Sequence, residues 1–206
     1  MRTPFIAILL AGCMSLTAQT VPRATPATVR YADPANGVGF RYPAAWKLAH
    51  DEPFMFPVSI QTLTPGSQSQ LRALVVARSL SGVRSWPATD FSGVEFGYDA
   101  RAAATPEACR AMASPDHGAT DQQTLRGIAY WHGKAGDGGM SQAVSDDIYA
   151  TFLASSGTCV VFDLAVHTTT AAGETQPGPL TPREASIVRN SLMDVLDSIR
   201  IPAPSR

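Results

Sequence analysis

Cysteine is scarce in this chain, only three in 206 residues: Cys13, Cys109 and Cys159. Three thiols at those separations do not write a zinc finger or ribbon, which needs closely spaced pairs. Charge is thin as well, 16% of residues, with 16 Lys and Arg against 17 Asp and Glu. A chain without a basic excess lacks the electrostatic footprint of a nucleic-acid-binding protein, so no nucleic acid is expected as a partner. No apolar run approaches the length of a spanning helix. The four histidines, His50, His117, His132 and His167, have no i, i+4 or short-loop spacing, so no metal site is expected. No Gly-x-Ser-x-Gly elbow is present. Gly136-Asp137-Gly138-Gly139 is too short for a calcium loop and lacks the lysine of a phosphate loop. No cofactor is expected either.

What is there begins with an apolar block, Pro4 to Ala11, behind Arg2, the only charge in the first 22 residues. That is the plan of a secretory signal. The block closes on Leu10-Ala11-Gly12-Cys13, which resembles a bacterial lipobox. The resemblance implies that residues 1–12 are removed as a signal peptide and that Cys13 is acylated. The alternative, cleavage after Ala18, puts the bulky Leu16 where a small residue is expected. Two or three acyl chains, at about 0.8 kcal/mol per buried methylene, make a durable anchor. Residues 13–27 then form a lipidated N-terminus and tether, small, polar and proline-bearing. Met14, where an Asp would resemble an inner-membrane retention signal, points to the periplasmic face of the outer membrane. The membrane, reached through the lipid, is thus the first expected partner.

Beyond the tether, two short extended runs, Thr28–Ala32 and Val38–Tyr42, flank Asp33-Pro34-Ala35-Asn36-Gly37, where Asn-Gly supports a tight reversal. Trp46 is expected as a core anchor behind them. Ser69–Leu80 and Gly93–Ala100 read as strands, with a weaker one in "FPVSIQTL". Thr105-Pro106-Glu107 opens a helix through Met112, with Thr as N-cap and Pro at the first helical position. "TLRGIAYWHGKAG" reads as a strand with a glycine break, followed by a loop at Gly136–Gly139. Ser145–Ala154 and Thr158–Thr168 form a hairpin, with Val160, Phe162, Leu164 and Val166 on one face. Asp146 and Asp147, being adjacent on a strand, point to opposite faces. Thr181-Pro182-Arg183-Glu184 is a capping box, and Val188, Leu192, Val195 and Leu196 make an apolar helical stripe. Ser198–Ile201 reads as a short terminal strand.

With Cys13 taken by lipid, Cys109 and Cys159 remain in an exported chain, where oxidation is the default. Cys109 lies one turn into the first helix, and Cys159 faces away from Val160 and Phe162. A helix crossing that second face brings them together, so a disulfide is expected.

"GVGFRYPAAWKL" resembles the opening strand and Tyr-Pro-x-x-Trp corner of PsbP-like domains, and "IYATFLASSGTCVVFDLAVHTT" their long central hairpin. The resemblance covers residues 28–201, leaving 202–206 as a tail. It implies a single α/β domain, an α/β/α sandwich around a largely antiparallel sheet, and it implies no activity. The expected function is therefore a lipid-anchored envelope protein of non-enzymatic binding or assembly type, with an envelope protein or small ligand as partner. His132 and Asp137 are the candidate ligand-binding residues. The alternatives are an envelope hydrolase or a metal-binding module with a site scattered around His132, Asp137 and Asp163.

Overall fold

Asp33 opens the first turn by accepting hydrogen bonds from Ala35 N (2.9 Å) and Asn36 Nδ2 (2.7 Å), and Gly37 completes it with a φ of 67°. β1 (Thr28–Asp33) thereby folds back on β2 (Val38–Pro43) as a separate two-stranded ribbon. The computed structural model describes residues 27–49, 73–77, 86, 89–114, 118–138, 142–169 and 178–202. Cys13, the signal and the tether as far as Pro26, "FPVSIQTL", His50 and His117 lie outside the described residues.

The remaining strands form one seven-stranded sheet: β3 (Lys47–Ala49), β4 (Ala73–Ala77), β5 (Phe91–Ala102), β6 (Asp121–Leu125), β7 (Ile128–Gly138), β8 (Gln142–Leu153) and β9 (Thr158–Thr169). Their order is β3-β4-β5-β9-β8-β7-β6, and every neighbouring pair is antiparallel. After β5 the chain crosses to the far edge through helix α1 (Pro106–Met112). It then walks back strand by strand until β9 pairs with β5. The two long central strands therefore meet last in sequence order.

Strand alternation gives the sheet two unlike faces. One carries Val94, Phe96, Tyr98, Tyr130, Tyr149, Val160, Phe162 and Leu164, all buried. The ribbon covers it with Phe40 and Tyr42, Trp46 joins as a core residue, and helix α2 (Pro182–Asp197) adds Val188, Leu192, Val195 and Leu196. The rings of Tyr98 and Phe162 stack at 5.5 Å, and Phe40 tilts against Phe96 at 5.1 Å. The other face carries Ile148, Ala150, Cys159 and Val161 beneath Cys109 and Ala113 of the α1 segment. Cys109 and Cys159 are disulfide-bonded, with Cα atoms 5.2 Å apart. Helix, sheet and helix make the α/β/α sandwich around an antiparallel sheet.

Both helices start as their sequences dictate. Thr105 Oγ1 accepts from Ala108 N, and Thr181 and Glu184 exchange reciprocal bonds in a full capping box. Glu184 is held below the usual carboxylate range by the Thr181 hydroxyl and backbone.

Three expectations change. The glycine break falls at Arg126-Gly127 (φ 52° and 84°), a two-residue turn that makes two strands of the segment. β7 then runs unbroken through Gly133 and Gly136 to Gly138, so Gly136-Asp137-Gly138 is paired strand, not loop. Gly133 is needed for close approach rather than for a bend: a Cβ there would lie 1.9 Å from the carbonyl oxygen of Ala113, where the chain leaves α1. Finally, Ser198–Ile201 is no strand. Ser198 caps α2, and only Arg200 pairs, in a single bridge with Gly39.

Candidate functional site

His132 lies on β7 on the aromatic face, 6% exposed, and is the centre of the best-formed polar cluster. The two-residue turn at Arg126-Gly127 sets the register that brings Asp121 of β6 directly opposite it, and Tyr149 of β8 flanks it on the other side. His132 Nδ1 lies 2.9 Å from Asp121 Oδ1, and Nε2 lies 2.9 Å from Asp147 Oδ1. Both are hydrogen bonds when the ring carries both protons. Gln123 Nε2 donates to Asp121 Oδ2 at 3.0 Å and also lies 2.9 Å from Nδ1. Beyond Asp147, Oδ2 meets Arg189 Nη2 of α2 at 3.3 Å. The Tyr149 ring lies along the imidazole, centroids 4.6 Å apart.

The electrostatics follow. Asp121 is held below the usual carboxylate range by the Gln123 amide and by His132. Tyr149 is pushed up, first by burial and then by the Asp147 carboxylate. Burial also pushes up Tyr130, aided by Asp197. Asp121, His132, Asp147 and Arg189 thus form one continuous chain from the edge strand to α2. Among the described residues no hydroxyl or thiol hydrogen-bonds His132, so the cluster offers proton positions without a nucleophile.

Of the scattered residues of the hydrolase alternative, Asp163 does not join His132. Asp163, fully buried on β9, pairs across to Gly97 and Ile148 on the disulfide face, with the sheet between it and His132. Asp137 stands five residues further along β7, its backbone opposite Val144, and its side chain lies outside the described residues. Asp146 and Asp147 do face opposite ways, Asp147 to His132 and Asp146 to the buried side. That buried side also holds Glu95 and Asp99. His167 Nε2 lies 3.1 Å from Glu95 Oε2, a close approach without hydrogen-bond angles. Among the described residues no three His, Cys, Asp or Glu are arranged to hold a metal ion.

Sequence reasoning picked out His132 and missed its partners Asp121, Gln123, Asp147 and Arg189. One signal was available: a two-residue turn at Arg126-Gly127 places Asp121 opposite His132 by counting alone. Near this cluster, at the end of the sheet, a cavity of about 480 Å³ is lined mainly by Tyr130, Trp131, Thr151, Phe152, Ile201 and Pro202.

No protein-family model and no curated protein matches the chain. Among solved structures it is similar to cyanobacterial PsbP (CyanoP) from Synechocystis, with a TM-score of 0.44 and 15% identity over 94% of this chain and 99% of that one. It is also similar to the Ran-binding protein Mog1p of Saccharomyces cerevisiae, with a TM-score of 0.44 and 12% identity over 86% and 96%. A protein from Bacteroides thetaiotaomicron gives 0.42 and 8% over 84% of this chain and 48% of that one. At such values the likenesses carry no ligand, partner or activity to this chain.

Proposed function

We propose that the chain is an exported, lipid-anchored envelope protein whose domain works by binding or assembly rather than by catalysis. The observation that carries the second half is the closure of the His132 cluster. Both ring nitrogens face carboxylates of the same chain, and the inner carboxylate meets Arg189, so the buried imidazole ties the sheet edge to α2, with Asp121 and Arg189 at the surface. The first half is supported by the lipobox-like Leu10–Cys13 and by the Cys109–Cys159 disulfide, which suits an oxidising compartment. On this reading acylated Cys13 holds the domain at the periplasmic face of the outer membrane, where it meets an envelope protein or a small ligand.

The test has two arms. Cys13→Ser is expected to leave the membrane fraction and change the mature mass; unchanged fractionation and mass overturn the anchor. His132→Gln is expected to lower the melting temperature while wild type and variant alike turn over no carboxylic ester, phosphoester or peptide. Turnover by wild type that disappears in the variant overturns the binding role.

A further inference from the structure

The ribbon β1–β2 presents a second charged cluster, built on the opposite plan. Arg30 and Arg41 stand directly opposite each other across the two strands, on the outward side, while their neighbours Tyr31 and Phe40 stack inward at 4.9 Å. Like charges directly opposite on a sheet are destabilising. A third arginine is brought to the same side. Gly39 N donates to Arg200 O (3.0 Å) and Arg200 N to Gly39 O (2.7 Å), and this antiparallel bridge puts Arg200 beside Gly39 on the outward face. Ser198 Oγ accepts from Arg41 N (2.7 Å) and so fixes that backbone too. Gly39 leaves the floor bare, with Arg30 leaning over it: a Cβ there would lie 3.9 Å from both Nε and Nη2 of Arg30. The result is a cavity of about 360 Å³ lined by Arg30, Gly39, Phe40, Arg41, Ser198 and Arg200.

Of the other described arginines, three are answered by a carboxylate, Arg101 by Asp99, Arg126 by Asp197 and Arg189 by Asp147, while Arg110 meets the Thr120 hydroxyl and Arg183 has no ion pair among the described residues. None of Arg30, Arg41 and Arg200 has an ion-pair partner among the described residues, in a chain whose net charge is −1. The C-terminal carbonyls of α2 offset part of this, but a helix end supplies only about half a charge against three. The arrangement keeps a repulsion that an anion would remove.

We propose that Arg30, Arg41 and Arg200 form a binding site for a phosphate group. Guanidinium forks match the oxygens of phosphate two at a time, and a doubly charged tetrahedral anion answers three cations better than a single carboxylate does. The group arrives either as free phosphate, alone or on a soluble molecule, or as a lipid headgroup. The inference does not rest on the anchor, because it concerns only the folded domain.

The experiment uses the full chain carrying Cys13→Ser, so that no acyl group contributes, at low ionic strength. Inorganic phosphate is titrated calorimetrically, and vesicles of phosphatidylcholine with and without phosphatidic acid are tested by sedimentation. The expected result is phosphate-dependent binding that Arg30→Gln, Arg41→Gln or Arg200→Gln each weakens about tenfold or more. Without phosphate, each variant's melting temperature is expected to stay equal or rise. Binding of phosphate alone assigns the free source. Binding confined to phosphatidic acid vesicles and lost in the triple variant assigns the lipid source. No binding in either arm, equal binding by the triple variant, or preference for an acidic peptide over both phosphate probes overturns the site.

Discussion

The two faces of the sheet are held by different means. The aromatic face is covered by the ribbon and the 16-residue α2, and its hold is spread over many buried side chains from five elements and more. The disulfide face meets α1, only seven residues long, whose sole buried side chain is Cys109. So short a helix is marginal on its own, and it has little apolar surface to dock with. One covalent bond replaces the missing packing. Spread stability resists single changes in proportion to what each removes; concentrated stability fails at one point.

Removing that point is expected to give the largest effect. Cys109→Ser with Cys159→Ser opens a link spanning 50 residues and is expected to cost about 4 kcal/mol by the chain-entropy relation. Urea unfolding with and without reductant reads it in wild type as well. A midpoint indifferent to reductant would break the contrast between the faces.

On the aromatic face, Leu192→Ala removes one fully buried side chain of α2 and is expected to cost about 3 kcal/mol. Arg189→Ala, on the same helix, removes a half-exposed partner of Asp147 and Tyr149 and is expected to cost under about 1 kcal/mol. Equal small losses in the two unfolding curves would show that the helix is not docked through its apolar stripe.

A third effect, smaller than that of Leu192→Ala, is pH-dependent. Tyr98 OH, within the aromatic core, donates to Asp33 Oδ2 at 2.9 Å and ties the ribbon's turn to β5. Burial pushes the Asp33 carboxyl up, but Asn36, Tyr98 and the Ala35 amide outweigh it and hold the group below its ordinary value of 3.8. A depressed carboxyl stabilises above its unfolded pKa, and the contribution is lost as pH falls through the folded one. Tyr98→Phe is therefore expected to cost about 1.5 kcal/mol at pH 7. The gap from wild type should narrow once pH drops well below 3.8. A gap that stays constant down to acid unfolding would assign the loss to packing alone.

Elements with local signals were legible. Thr105-Pro106 and the Thr181–Glu184 box mark helix starts because a cap satisfies backbone donors within three residues. Asn36-Gly37 and the period-two pattern of Thr158–Thr169 mark turn and strand for the same reason, short range. The β6–β7 hairpin was obscured because Gly133 and Gly136 look like breaks. Gly133 is explained only by the backbone of Ala113, twenty residues earlier, pressing on it. The terminal segment misled in the other direction: its β-branched pattern suits a strand, but α2 runs to Asp197 and leaves room for one bridge.

By itself, then, the sequence determined the helix ends, the turns at Asn36-Gly37 and Ser155-Ser156-Gly157, the inward faces of the long strands and the two thiols available to one another. Each of these follows from neighbours a few residues apart or from strand alternation. The tertiary structure alone decided that His132 closes on Asp121 and Asp147 while Asp163 lies behind the sheet, and that Arg200 joins Arg30 and Arg41. Those outcomes depend on register and on which face a helix covers, and a shift of one residue in register would send every such side chain to the opposite side.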